Sequence, residues 1–273
     1  MKTLLSKTAL IVITSGFLPL HAQAIAEGKT HALVSDVFIA EQGFDDNDQV
    51  EAVVNGHLPN HCHLAGETKV EIDNGQKKIR IEQEVILRDV KICHQGAEDR
   101  SRDSHPPVRF SKTVIMGQLD KGTWSLSFHS SETGQESVRR FEIARASSDS
   151  IDELTYAPVT RAFIPEIFYE TADAQVVLSG AFSQSCEALD EIQVKNLGDV
   201  IVLLPTSKRM NAQRCRGQIR PLERVISIGA LRAGRYLLHV RTMNGTAINQ
   251  VFEVIGRPID PRMGDSSVLD PLD

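Results

Sequence analysis

Seven residues, Gly56-His57-Leu58-Pro59-Asn60-His61-Cys62, recur in outline 124 residues later as Gly180-Ala181-Phe182-Ser183-Gln184-Ser185-Cys186. The spacing from glycine to cysteine is the same, each stretch follows an apolar pair (Val53-Val54, Val177-Leu178), and each precedes a second cysteine, Cys93 or Cys215. A second signature is also shared: Gly117-Gln118-Leu119-Asp120-Lys121-Gly122-Thr123-Trp124 stands against Gly229-Ala230-Leu231-Arg232-Ala233-Gly234-Arg235-Tyr236. Two glycines five apart, a leucine between them and an aromatic two after the second describe a turn that feeds a half-buried strand. The two halves close on Phe141-Glu142-Ile143 and Phe252-Glu253-Val254. Turns, apolar runs and cysteines in one repeated order predict two similar units.

The period of those units is two. Lys69-Val70-Glu71-Ile72-Asp73 and Lys78-Ile79-Arg80-Ile81-Glu82 alternate around Asn74-Gly75, a dipeptide favoured in tight hairpin turns. The counterpart is a strand at 191–195, a turn at 196–199 and the apolar run Val200-Ile201-Val202-Leu203-Leu204. Strands are also expected at 33–39 and 49–55, separated by an acidic turn at 42–48. Each unit offers about seven short strands in about 100 residues and no amphipathic helix, the profile of an immunoglobulin-like or fibronectin-like β-sandwich. The expected architecture is all-β, two tandem sandwiches at 33–145 and 161–256, each with one internal disulfide. The polar segment 146–160 reads as a linker that allows relative motion, and 257–273, rich in proline and aspartate, as a flexible tail.

Residues 1–24 carry Lys2 and Lys7, an apolar stretch at 9–20 and Ala22-Gln23-Ala24, the pattern of a cleaved secretory signal. That stretch is too short and broken to span a membrane, and no other stretch approaches the ~18 apolar residues a span needs. The expected location is periplasmic or secreted, with no lipid anchor, since no cysteine stands at the cleavage point. All four cysteines lie beyond the signal, and an even number in an oxidising compartment reads as disulfides. Of the three pairings, the repeat favours Cys62 with Cys93 and Cys186 with Cys215, each closing a loop worth about 3 to 4 kcal/mol by chain entropy. A zinc site built from the four cysteines is disfavoured, because Cys-x2-Cys knuckles are absent. Losing the signal takes the formal charge from −6 to −8, which argues against nucleic acid as a partner.

The motif Gly56-His57-Leu58-Pro59 with Cys62 and Cys93, followed by Gly117 to Trp124, resembles a recurring immunoglobulin-like domain of exported bacterial proteins. The second half keeps the cysteines and the late glycines but has Ser183 in place of the proline. The resemblance implies an export-compartment sandwich, and it carries no catalytic residues with it.

Two features bear chemistry. His57, His61 and His63 fall within seven residues; were the chain extended there, His61 and His63 would flank an inward Cys62 and share one face, able to hold zinc or copper. Solvent-exposed histidines in a polar turn are the plainer expectation. Lys208, Arg209, Arg214, Arg216, Arg220 and Arg224 set six cations against Glu223 in an otherwise acidic chain, a patch suited to an acidic glycan or protein of the cell envelope. A solvated edge is the alternative there. Nucleophile elbows, zinc-protease helices, phosphate loops and dinucleotide fingerprints are absent, so no catalytic residue is named and the chain reads as a non-enzyme. The expected function is an envelope binding or adapter protein, with a periplasmic metal carrier or sensor as the alternative.

Overall fold

The computed structural model describes residues 33–88, 106–152, 154–170, 172–210 and 215–256. The expected signal segment, the tail, Cys93 and Arg214 lie outside them. The described residues form strands and no helix. The first sandwich is built from β1 (Leu33–Phe38), β2 (Phe44–Asp45), β3 (Val50–Leu58), β4 (His63–Asp73), β5 (Lys78–Leu87), β6 (Val108–Gly117), β7 (Gly122–Ser130) and β8 (Gln135–Ala144). The second comprises β9 (Val159–Phe163), β10 (Ile167–Tyr169), β11 (Ala174–Gln184), β12 (Glu187–Leu197), β13 (Val200–Arg209), β14 (Gly217–Gly229), β15 (Gly234–Arg241) and β16 (Ala247–Ile255). One sheet of each has three strands, β1-β3-β6 and β9-β11-β14; the other has five, β2-β8-β7-β5-β4 and β10-β16-β15-β13-β12.

The order is the same twice, and so is the register. Val54 faces Lys112 across β3 and β6 as Leu178 faces Arg224 across β11 and β14. Both glycine pairs of the shared signature adopt positive φ, at Gly117, Gly122, Gly229 and Gly234, where a side chain would strain the backbone. The aromatic that follows is held alike in both: Trp124 Nε1 donates to the carbonyl of Asp120 at 2.8 Å and Tyr236 Oη donates to that of Arg232 at 3.0 Å. Gly180 is needed for another reason, since a Cβ there would stand 2.0 Å from the carbonyl oxygen of Pro158, just before the adjoining strand β9.

In variable-type antibody domains strand C, the first of the C–C′ pair, borders the late F strand. Here the second strand does: β5 runs parallel to β7 and β13 parallel to β15. The Asn74-Gly75 turn is longer than a tight hairpin, because Asp73 pairs with Lys78 and the loop spans four residues. Asp73 Oδ1 accepts from the Gln76 amide at 2.9 Å, and Lys77 turns the chain back at φ 53°. In the second half Leu197 pairs with Val200, leaving a two-residue turn led by Gly198 at φ 75°.

The sandwiches share a buried seam. Ile201 and Leu203 of β13 point into the core of their own sandwich, whereas Val200, Val202 and Leu204 join a cluster with Phe38, Val53 and the core of the first. A strand buried on both faces reads as an unbroken apolar run. Along β15 the residues between the core positions, Leu237, His239 and Arg241, are buried as well. The covering face is therefore the five-stranded sheet of the second sandwich, and the covered one is the three-stranded sheet of the first. The segment expected as a linker is docked at this seam. Tyr156 is buried against Arg241, the Ala157 amide donates to the Pro205 carbonyl, and Asp152 accepts from the amides of Asn244 and Gly245.

Candidate functional site

The histidine cluster does not converge. Asn60, His61 and Cys62 form a turn, with Asn60 Oδ1 accepting from the Cys62 amide at 2.9 Å, so the chain is not extended at Cys62 and the shared outward face is lost. His63 Nδ1 lies 2.8 Å from Asn60 Oδ1, His61 Nε2 lies 3.7 Å from Cys62 Sγ, and His57 sits back in β3 with Nδ1 at 3.3 Å from Ser35 Oγ. Among the described residues no group of three or more His, Cys, Asp or Glu side chains is arranged to hold a metal ion. Cys62 is disulfide-bonded; Cys93, the partner expected for it, is outside the described residues.

The second pairing is present. Cys186 and Cys215 are bridged across 29 residues with Cα atoms 4.9 Å apart, tying the start of β12 to the start of β14. Cations of the expected patch gather around this bridge in distinct roles. Lys208 pairs with Asp190 at 2.8 Å on the β12–β13 hairpin, and Arg220 donates to the carbonyls of Ser185 and Glu187, holding the two sheets together at the disulfide end. Arg209 donates to Gln184 Oε1 at 3.0 Å, while Arg216, just before β14, and Arg224 within it are exposed. The patch is therefore partly structural: Lys208, Arg209 and Arg220 are engaged with neighbouring groups, and Arg216 and Arg224 present charge outward. Among the described residues the outer edge of β14 pairs with no strand. Pro221 stands within it, as edge strands permit, and Ile219 is 79% exposed.

The sequence did not point to the seam, where the buried charged pair Asp48 and Arg241 and the buried His239 lie. Arg241 donates to Asp48 Oδ1 at 2.9 Å with both side chains buried. Beside it His239 Nδ1 is 2.9 Å from Asn249 Oδ1, and Asn249 Nδ2 donates to Glu51 Oε1 at 3.0 Å. His239 thus supplies the proton to Asn249, and the chain ends on a carboxylate of the other sandwich. Burial lowers His239 to about 4, and burial also raises Glu51, against the hydrogen bond from Asn249 and the charge of Arg241. Arg139 reaches both Asp36 at 2.7 Å and Asp199 at 3.0 Å, and burial holds Asp199 above its ordinary range despite that cation. The available signal was the apolar run at 200–204, whose counterpart at 78–82 alternates with charges.

A cleft of about 540 Å³ opens along the seam, lined among others by His57, Arg109, Glu132, Glu166, Arg235 and Glu253. Arg109 of the first sandwich pairs with Glu253 of the second at 2.7 Å, and Arg235 of the second pairs with Glu132 of the first. These reciprocal pairs bridge the rim. Ser35, beside His57, is 5% exposed and does not line the cleft, so this Ser-His contact presents no nucleophile to it.

A family model described as the ORF11 beta-sandwich domain matches residues 176–254, from the third residue of β11 to the penultimate residue of β16. No curated protein and no solved structure matches the chain significantly.

Proposed function

We propose that this chain is a non-enzymatic, exported binding or adapter protein that engages an acidic partner at the disulfide end of the second sandwich. The observation that carries the reading is the outer edge of β14, unpaired among the described residues, bearing exposed Ile219 and Arg224 and preceded by exposed Arg216. Such an edge accepts a partner's strand through main-chain hydrogen bonds, while flanking arginines select acidic side chains. The secretory pattern of residues 1–24 and the Cys186–Cys215 bridge support an oxidising, exported setting, periplasmic or secreted. The common strand order supports a reading in which the first half is a second copy of the domain matched at 176–254.

The test is affinity capture from envelope extract by the oxidised chain beginning at Ile25, run beside an Arg216→Glu/Arg224→Glu variant. A component retained by the parent, released by raised salt and missed by the variant is the expected result. Equal retention by both proteins, or no retained component, overturns the reading.

A further inference from the structure

The two sandwiches treat one equivalent surface in opposite ways. In the first, the outward row Phe38–Val53–Thr113 crosses the three-stranded sheet, with Phe38 1% and Val53 2% exposed beneath the second sandwich. In the second, the same register places Phe163–Val177–Val225 in that row. There Phe163 and Val225 are each 61% exposed. Phe163 thus lies open where its counterpart Phe38 is covered, Val177 is half-buried where Val53 is fully buried, and the exposed Val225 stands where the first sandwich has the polar, exposed Thr113.

The molecule itself shows what kind of surface covers this row, an apolar sheet face, and shows that head-to-tail stacking cannot supply it. Where β13 and β15 offer Val200 opposite Leu237 and Val202 opposite His239, the first sandwich has Lys78 opposite Ser125 and Arg80 opposite Ser127. A polar face of this kind does not bury Phe163, so an open filament of like units is excluded. A closed two-fold pair remains.

We propose that the outward face of β9-β11-β14 pairs with the same face of a second copy about a two-fold axis parallel to β11. That operation keeps each row at its own height and exchanges its ends. Phe163 then meets Val225 of the second copy, and Val177 meets its own equivalent. The next row, Arg161–Ser179–Glu223, brings Arg161 onto Glu223 of the second copy and Glu223 onto its Arg161. Strands of the two sheets stay roughly aligned, as in face-to-face sheet packing. Three strands about 4.8 Å apart give a face of only a few hundred Å², below the standard size of a stable interface, so the pair exchanges with monomer.

Sedimentation equilibrium of the oxidised chain from Ile25, at low salt and over a wide concentration range, tests this. The expected result is a monomer–dimer equilibrium that Phe163→Glu abolishes. Arg161→Glu and Glu223→Arg each weaken it about tenfold, and the double reversal Arg161→Glu/Glu223→Arg restores it to within about threefold of the parent. These side chains are exposed, so thermal melts matching the parent confirm folding of each variant. A parent that stays monomeric at the highest concentration overturns the proposal. So does a dimer untouched by Phe163→Glu, or a double reversal no better than the singles.

Discussion

His239 holds its place in the seam as a neutral ring, with its Nδ1 proton on Asn249 and the ring edge-on to Phe44 at 6.4 Å between centroids. Burial is the main reason that its pKa falls from 6.5 to about 4, and the charge of Arg241 adds to it. Between those two values the unfolded chain binds a proton that the folded chain refuses. Stability therefore rises with pH through this window and is lost as pH falls from 6.5 to 4, by up to about 3 kcal/mol from this group. Glu51 acts in the opposite sense: its pKa is raised on folding, so above 4.5 its contribution falls as pH rises. Replacing His239→Gln keeps an amide donor for Asn249 and removes the ring's titration. Urea midpoints measured from pH 4 to 7 are expected to lose their acid-side decline in this variant relative to the parent.

At the scale of the strand, β5 and β13 show one sequence slot put to two uses. Arg80 of β5 is 61% exposed and pairs with Glu82 at 3.1 Å, an exposed pair worth about 1 kcal/mol or less. Val202, in the equivalent slot of β13, is 7% exposed and faces the first sandwich. The exchange Val202→Arg is expected to cost about 3 kcal/mol or more by burying an unpaired cation. Arg80→Val should cost about 1 kcal/mol or less, and denaturant unfolding of the two variants measures the difference. The strand pattern was legible because alternation and shared glycines specify β-structure locally. The four-residue loop at 74–77 was not, because its length depends on how Lys77 meets β7, where the Ser125 amide donates to the Lys77 carbonyl.

Across the whole molecule, the seam joins the two sandwiches through one shared buried cluster. Asp48 and Arg241 are 7% and 8% exposed as side chains and come from different sandwiches. Removing the carboxylate leaves a buried guanidinium without its ion pair, facing the Tyr156 side chain, whose ring centroid is 5.6 Å away, and the more distant Glu51 carboxyl. Asp48→Ala is therefore expected to cost about 3 to 5 kcal/mol. Calorimetry checks the consequence: the parent unfolds in one transition, and the variant separates into two as the sandwiches lose their shared burial.

The sequence by itself determined the class of fold. The doubled glycine-to-cysteine spacing, the period of two and the paired Gly-x-Leu signatures act through backbone sterics and side-chain alternation, both local, and each reappears in the two sandwiches. It also singled out Cys186 with Cys215 and the cations around them. Only the tertiary structure decided that Asp152, Tyr156 and Ala157 are docked at the seam, and that Phe38 and Val53 are buried while Phe163 and Val225 lie open. It alone decided that His57, His61 and His63 part company. The reason is physical: a local pattern records which face of a strand is apolar, but the partner that covers it comes from residues some 150 to 200 positions away, whose register is set when the two sandwiches meet.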